Sequence, residues 1–134
     1  MNAQINTENF TRFAREVLDE KRATEVVWLD LRGITDIADE FLIATVNNPR
    51  QSAAVVDACE KERKARGLKC LGIEGKGNSS WVVLDYGDLV VHLFTPEARE
   101  YYRLEHVWAD AEVIEAPADD SSAAASDDPA TDSQ

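Results

Sequence analysis

The stretch that decides the fold is WVVLDYGDLVVHLF, residues Trp81–Phe94. Two apolar runs flank a short segment around Gly87, a residue that adopts positive φ without steric cost, so the pattern predicts two strands joined by a tight turn. Alternate strand residues face opposite sides of a sheet. One side carries Trp81, Val83 and Asp85, and the other carries Val82, Leu84 and Tyr86. Because both sides hold large apolar groups, we expect a hairpin that is central or covered on both faces.

The elements around the hairpin follow from hydrophobic periodicity. Apolar residues at helical spacing predict helices, and short runs rich in Val, Ile and Leu predict strands. Helices are predicted over residues 8–22, 49–66 and from Pro96 onward; strands over 26–31, 41–46 and 69–74; a flexible loop over 75–80; and a short closing segment over 106–114.

The long central helix has clear boundary signals. Asn48 is a favourable N-cap, and Pro49 suits the first helical position, where its missing N–H costs nothing. At the other end, Arg63, Lys64 and Arg66 complement the helix dipole, and Gly67 suits the residue after the helix.

The order of elements, α-β-β-α-β-β-β-α, predicts an α/β fold. A strand, helix, strand crossover is right-handed, so we expect the second and third strands to form a parallel pair. The three strands over 69–94 are expected to form an antiparallel meander. The prediction is a mixed five-stranded sheet with helices packed on it.

The composition favours one soluble domain with a tail. Of 134 residues, 44% are hydrophobic, enough for one core, and the run 115–134 has six acids, no Lys or Arg, and much Ala and Ser. Such a run buries too little apolar area to order itself. We expect a domain over 1–114 and a disordered acidic tail over 115–134. The start of the chain lacks signal-peptide features, and Cys59 and Cys70 are expected to be reduced, which favours the cytoplasm.

The charge restricts the partners. The net charge is −12, and residues 1–114 alone carry −6. An acidic body is repelled by phosphate backbones, so direct reading of nucleic acid is not expected, whereas a basic protein is a favourable partner. No membrane association is expected either, because no apolar run approaches the roughly 18 residues of a membrane span.

Catalytic signatures are weak. The run GIEGKGNSS from Gly72 has two residues where a phosphate-binding loop needs four, and His92 and His106 lack metal-site spacing. The alternative that remains open is a metal-dependent nucleotidyltransferase-like enzyme using Asp30, Glu74 and Asp85. No cofactor is predicted. His92 is interpreted as a strand histidine bonded to a neighbour.

Several segments together resemble one known family, the Iojap-like ribosomal silencing factors. The shared positions are Asp30, the run 39–45, Arg50, Gln51, Gly67, the runs 72–75, 81–88 and 90–94, Arg99, Tyr102, Leu104, Glu105 and Trp108. The resemblance spans about residues 8–114. One departure is the stretch 46–49, Val-Asn-Asn-Pro, where family members usually have a small Gly/Ser loop.

The resemblance implies a nucleotidyltransferase-like core without a catalytic set, and therefore no enzyme. It implies binding to the large ribosomal subunit through the basic ribosomal protein L-fourteen, obstruction of small-subunit joining, and lowered translation when nutrients are scarce. It also permits a homodimer. For the partner-binding residues we predict an acidic hairpin rim with neighbouring aromatic residues, comprising Glu74, Trp81, Asp85, Tyr86 and Asp88.

A third interpretation is an adaptor that holds a basic partner with the acidic tail. Truncation after Ile114 would abolish such an activity and leave ribosome silencing intact.

Overall fold

The computed structural model describes residues 3–75 and 79–117 of the chain. The helices are α1 (Ala3–Glu20), α2 (Pro49–Arg66), α3 (Pro96–Tyr102) and α4 (Leu104–Val107). The strands are β1 (Thr24–Asp30), β2 (Glu40–Thr45), β3 (Gly72–Glu74), β4 (Trp81–Asp85), β5 (Leu89–Phe94) and β6 (Glu112–Glu115). Within those residues, every helix is too short or too polar to cross a bilayer.

The six strands form one mixed sheet in the order β3-β4-β5-β2-β1-β6. The α/β class and the antiparallel meander β3-β4-β5 are confirmed. The predicted pairing of the second and third strands is wrong, because β2 pairs in parallel with β5 instead. The reason lies in burial: all six residues of β5 are buried, as a central strand requires, whereas β3 has three residues, none of them buried, and forms the edge.

The sheet has one strand more than predicted. The closing segment, expected over 106–114, contains the end of α4 and most of β6, which pairs antiparallel with β1. Periodicity missed β6 because its four residues include two glutamates and none is buried. Glu115, the first residue of the predicted tail, belongs to β6, where Arg15 Nε donates to its Oε1 at 2.8 Å. The rest of the predicted tail, from 118 onward, lies outside the described residues.

Both ends of α2 are capped as predicted. Asn48 Oδ1 accepts the Gln51 N–H at 2.8 Å, and Gly67 takes a left-handed conformation with φ of 73°. Gln51 extends the cap: its Oε1 accepts the Asn47 N–H at 2.7 Å and its Nε2 donates to Lys21 O at 2.9 Å. The stretch that departs from the family pattern is therefore a well-bonded helix start tied to the end of α1.

Two hydrophobic layers cover the sheet, one on each face. Helices α1 and α2 bury the larger, mainly aliphatic layer, which includes Val82, Leu84 and Tyr86 of the hairpin. Helices α3 and α4 lie over a smaller layer that is rich in aromatic residues. The expectation that the hairpin is covered on both faces is confirmed, and the two faces are covered unequally.

A buried carboxylate locks α1 onto the sheet. Glu40, at the start of β2, accepts bonds from Thr11 Oγ1 of α1 and from Trp28 Nε1 of β1, each at 2.9 Å. Both carboxylate oxygens thus have donors, so the charge is buried with partners. This pairing accounts for one acid of the family-like run 39–45 in structural terms.

Candidate functional site

The hairpin presents Trp81 at the margin of the α3/α4 face. The indole Nε1–H donates to Nδ1 of His92 on β5 at 3.1 Å. The ring also packs against Phe94 and Tyr102, with centroid separations of 4.8 and 4.7 Å. These contacts fix the orientation of the Trp81 ring, and the residue is only partly buried, so part of it remains accessible to solvent.

His92 supports that orientation from within the sheet. Only 6% of the residue is exposed, and burial lowers the pKa of its imidazole to about 4. Because Nδ1 accepts a bond from Trp81, the proton of the neutral ring resides on Nε2, which is buried without a hydrogen-bond partner among the described residues. The Phe41 ring lies beside the imidazole at a centroid distance of 4.5 Å. The interpretation of His92 as a bonded strand histidine is confirmed.

The three predicted partner-binding acids lie on β3 and at the turn of the hairpin. Glu74 pairs with Val83 across β3 and β4, so its side chain shares the face of Trp81 and Asp85. Asp85 is half-buried, and its Oδ1 accepts the Gly87 N–H at 2.9 Å, which stabilises the turn. Asp88 is exposed in that turn, where its backbone oxygen accepts the N–H groups of Asp39 and Glu40. We call Glu74, Asp85 and Asp88 the acidic rim.

Tyr86 lies on the other face. It is buried in the α1/α2 layer, with its ring edge-on to Phe10 at a centroid distance of 5.0 Å. Its hydroxyl donates to Glu60 Oε2 of α2 at 2.9 Å, and burial raises the pKa of the phenol. Of the five predicted partner-binding residues, the structure brings Glu74, Trp81 and Asp85 to one face, leaves Asp88 exposed in the turn and directs Tyr86 into the core.

The predicted partner-binding set omits two exposed aromatic residues, Tyr102, which contacts Trp81, and its neighbour Tyr101. Tyr101 is 82% exposed and Tyr102 is 44% exposed at the end of α3, and their rings meet edge to face at 5.0 Å. Tyr102 continues the stack that starts at Trp81. Helical spacing gives no signal for the pair, because Tyr101 and Tyr102 follow the buried Ala98 by three and four residues and would be expected to share its inner face. Their exposure shows only in the folded chain, at the end of this short helix.

The carboxylates of the alternative enzyme interpretation do not converge. Asp30 ends β1 and Glu74 ends β3, with three strands between them, which at about 4.8 Å per strand corresponds to about 19 Å. Asp30 instead accepts a bond from Arg32 Nε at 3.1 Å. Throughout the described ranges, no cluster of three His, Cys, Asp or Glu side chains is placed to hold a metal ion.

One cleft lies where ligands often bind in α/β folds, at the carboxyl ends of the parallel strands β2 and β5. Its volume is about 390 Å³. The guanidinium of Arg99 lies in it, but Nη1 donates to Thr45 Oγ1 at 2.9 Å and Nε to Glu105 at 3.1 Å. The charged residues that line the cleft balance one another. The basic ones are Arg99, Arg103 and His106, and the acidic ones are Glu25, Glu100 and Glu105. The cleft therefore has no excess positive charge with which to bind a phosphate.

Comparison with known proteins identifies the group that shares these features. Residues 4–134 match the family model described as "Ribosomal silencing factor during starvation". A ribosomal silencing factor of Halalkalibacterium halodurans is 36% identical over 111 residues, which cover 83% of this chain and 95% of the relative.

A solved structure and a more distant relative extend the comparison. A crystal structure of a Chromobacterium violaceum protein superposes with a TM-score of 0.72 at 29% identity, covering 81% of this chain and 88% of that one. A mouse protein named for mitochondrial assembly of the ribosomal large subunit is 32% identical over 97 residues, which cover 69% of this chain and 42% of its own.

Proposed function

This chain belongs to the family of ribosomal silencing factors during starvation, and on that premise we propose that it binds the large ribosomal subunit and sterically blocks joining of the small subunit. The proposed contact is the basic ribosomal protein L-fourteen on the joining surface. The chain acts by occupying that surface rather than by catalysis, in the cytoplasm, and thereby represses translation.

The observation that carries this proposal is the placement of the acidic rim beside exposed aromatic rings. Glu74 and Asp85 share a sheet face with the partly exposed Trp81, Asp88 lies in the turn beyond the far end of β4, and Tyr102 extends the ring stack. Partly exposed aromatic residues supply most of the binding free energy in many interfaces, and surrounding charges select an oppositely charged partner. The name of the mouse relative, which refers to the ribosomal large subunit, agrees with that choice of subunit.

Charge reversal of the rim tests the proposal. Asp85→Lys/Asp88→Lys should lower the affinity for purified large subunits at least tenfold, because the acids that meet the basic partner become like charges. Glu16→Lys/Glu20→Lys is the matched control, since it changes the net charge equally on exposed positions of α1. Co-sedimentation of the folded variants with large subunits measures the effect. Equal binding by both variants would remove the rim from the interface.

A second variant separates binding from turn stability. Because Asp85 also accepts the Gly87 N–H, its replacement perturbs the hairpin turn. Glu74→Lys leaves that bond intact and changes an exposed carboxylate. We expect it to weaken subunit binding by a smaller factor, with an unchanged free energy of unfolding. Normal binding by Glu74→Lys would restrict the interface to the turn itself.

The acidic-tail interpretation is tested by truncation after Pro117. Truncation after Ile114 would instead cut into β6 and remove Glu115, the partner of Arg15. We expect the chain that ends at Pro117 to bind large subunits like the full chain.

We also propose that a homodimer is compatible with this function. Sedimentation velocity of the free protein measures its oligomeric state.

A further inference from the structure

The C-terminal end of α2 is a basic region on an acidic protein. Residues 60–69 contain five Lys or Arg against two Glu, in a chain with a net charge of −12. The two arginines are paired within the helix, Arg63 with Glu60 and Arg66 with Glu62. The three lysines, by contrast, are exposed, and no carboxylate in the described part of the chain pairs with them. These residues are Lys61, Lys64 and Lys69, and we call them the basic end.

The helix dipole accounts for only part of this region. Its favourable effect on cations is confined to the last turn of a helix, which here includes Lys64 together with Arg63 and Arg66. Lys61 precedes that turn, and Lys69 follows the Gly67 cap. The dipole therefore gives no reason for cations at these two positions, and their side chains are directed to solvent.

The basic end is held firmly against the hairpin that bears the acidic rim. Glu60 accepts bonds from Arg63 Nη2 and from the Tyr86 hydroxyl, each at 2.9 Å, and these donors lower the pKa of its carboxyl. Just beyond Lys69, the Leu71 N–H donates to Asp85 O at 2.7 Å. Tyr86 thus joins the two regions instead of facing a partner.

The two charged regions consequently adjoin at the β3 edge of the sheet. Leu71, which is 65% exposed, follows Lys69 by two residues, and its side chain lies next to Gly87 of the hairpin turn. Glu74 and Asp85 of the acidic rim lie on the α3/α4 side of this edge, and the α2 lysines of the basic end lie on the α1/α2 side. One edge of the molecule therefore presents negative and positive charge side by side.

We propose that the basic end contacts phosphates of ribosomal RNA next to the ribosomal protein that the acidic rim meets. The inference rests on the proposed function and deepens it. A basic protein embedded in RNA presents cations bordered by phosphates. Its cations would face the acidic rim, and the neighbouring phosphates would face the basic end. An acidic body needs such a local contact, because its net charge is repelled by the RNA that surrounds the protein target. The contact is to the backbone and carries no sequence reading.

The salt dependence of large-subunit binding tests this contact. Each phosphate contact contributes roughly 0.7 to 0.9 to the slope of log K against log salt concentration. Lys61→Gln/Lys64→Gln should therefore reduce the magnitude of that slope by about 1.5 and weaken binding most at low salt. Lys21→Gln/Arg50→Gln is the matched control. It removes two cations at the opposite end of α2, where Gln51 binds the Lys21 carbonyl, and it should leave the slope unchanged.

Backbone footprinting of the ribosomal RNA identifies the group that is contacted. The wild-type protein should protect riboses that Lys61→Gln/Lys64→Gln leaves open to hydroxyl radicals. Equal slopes for the two variants would overturn the inference, as would a reduced slope with unchanged RNA protection, which would mean that the lysines meet an acidic protein. If the wild-type chain does not bind large subunits at all, the proposed function fails first; if it binds and only these variants behave alike, the inference alone fails.

Discussion

The two faces of the sheet are built differently. The α1/α2 face is closed by two 18-residue helices over fully buried aliphatic residues of four strands. The α3/α4 face is covered by helices of seven and four residues, so Trp81, Val83, Leu104 and Trp108 are only partly buried against its core. The difference indicates that one face supplies the stability of the fold, whereas the other leaves aromatic surface available to a partner.

The largest expected difference between the faces is at two adjacent residues of β4. Leu84 is fully buried on the α1/α2 face, and Leu84→Ala should lower the free energy of unfolding by about 4 kcal/mol through lost burial and a cavity. Val83 faces the other side and is partly exposed, so Val83→Ala should cost about 1 kcal/mol. Urea denaturation followed by circular dichroism measures both. Equal losses would mean that the two faces contribute equally to stability.

Acid should destabilise the α3/α4 face through His92. Its pKa is lowered from 6.5 to about 4, so the folded state favours the neutral imidazole. The stabilisation is complete above pH 6.5 and is lost as the pH falls towards 4, and it amounts to about 3 kcal/mol over that interval.

The variant His92→Phe isolates this contribution. Carboxylate titrations remain in both proteins, so the difference between wild type and variant reports on the imidazole. We expect the free energy of unfolding of wild type to fall more steeply between pH 6.5 and 4 than that of the variant. Parallel pH profiles would show that the buried imidazole is not linked to folding.

Removing the indole donor should have a smaller effect. Trp81→Phe leaves Nδ1 of His92 buried without its donor, which should cost about 2 kcal/mol. Trp108→Phe is the control, because Trp108 contacts Phe41 through its ring at 5.8 Å on the same face. Thermal unfolding compares the two. If both variants lose the same stability, the bond from Trp81 to His92 contributes nothing beyond packing.

The smallest effect should come from the helix cap that departs from the family pattern. Asn48→Ala removes the acceptor for the Gln51 N–H and should cost about 1 kcal/mol. Asn47→Ala, which keeps the backbone bond to Gln51, should cost less. Large-subunit binding should be unchanged in both variants, since this end of α2 lies away from the rim. Weakened binding by Asn47→Ala would extend the interface to this loop.

Local signals in the sequence predict most of this fold. The caps of α2, the hairpin turn at Gly87 and the two-sided burial of β4 each depend on a few neighbouring residues, and all are confirmed. Strand order depends on distant residues. The parallel partner of β2 is β5, 49 positions away along the chain. The most buried strands occupy the centre of a sheet, and no local sequence pattern encodes which strand that will be.

The candidate site is less predictable for the same reason. Glu74, Trp81 and Asp85 share a face because of the register between β3 and β4, and alternation along β4 alone indicated two of them. Sequence proximity predicts Tyr86 in the same patch, although alternation along the strand places it on the opposite face. Its hydrogen bond with Glu60 links residues 26 positions apart and could only be seen in the folded chain.

Subunit joining tests the central claim most directly. Purified small and large ribosomal subunits are mixed with rising concentrations of wild type, Asp85→Lys/Asp88→Lys or Glu16→Lys/Glu20→Lys, and light scattering follows the formation of joined ribosomes. We predict dose-dependent loss of joining with wild type and with the α1 control, while the rim variant needs at least tenfold more protein. Unimpaired joining at concentrations that saturate the large subunit with wild-type protein would contradict silencing by obstruction.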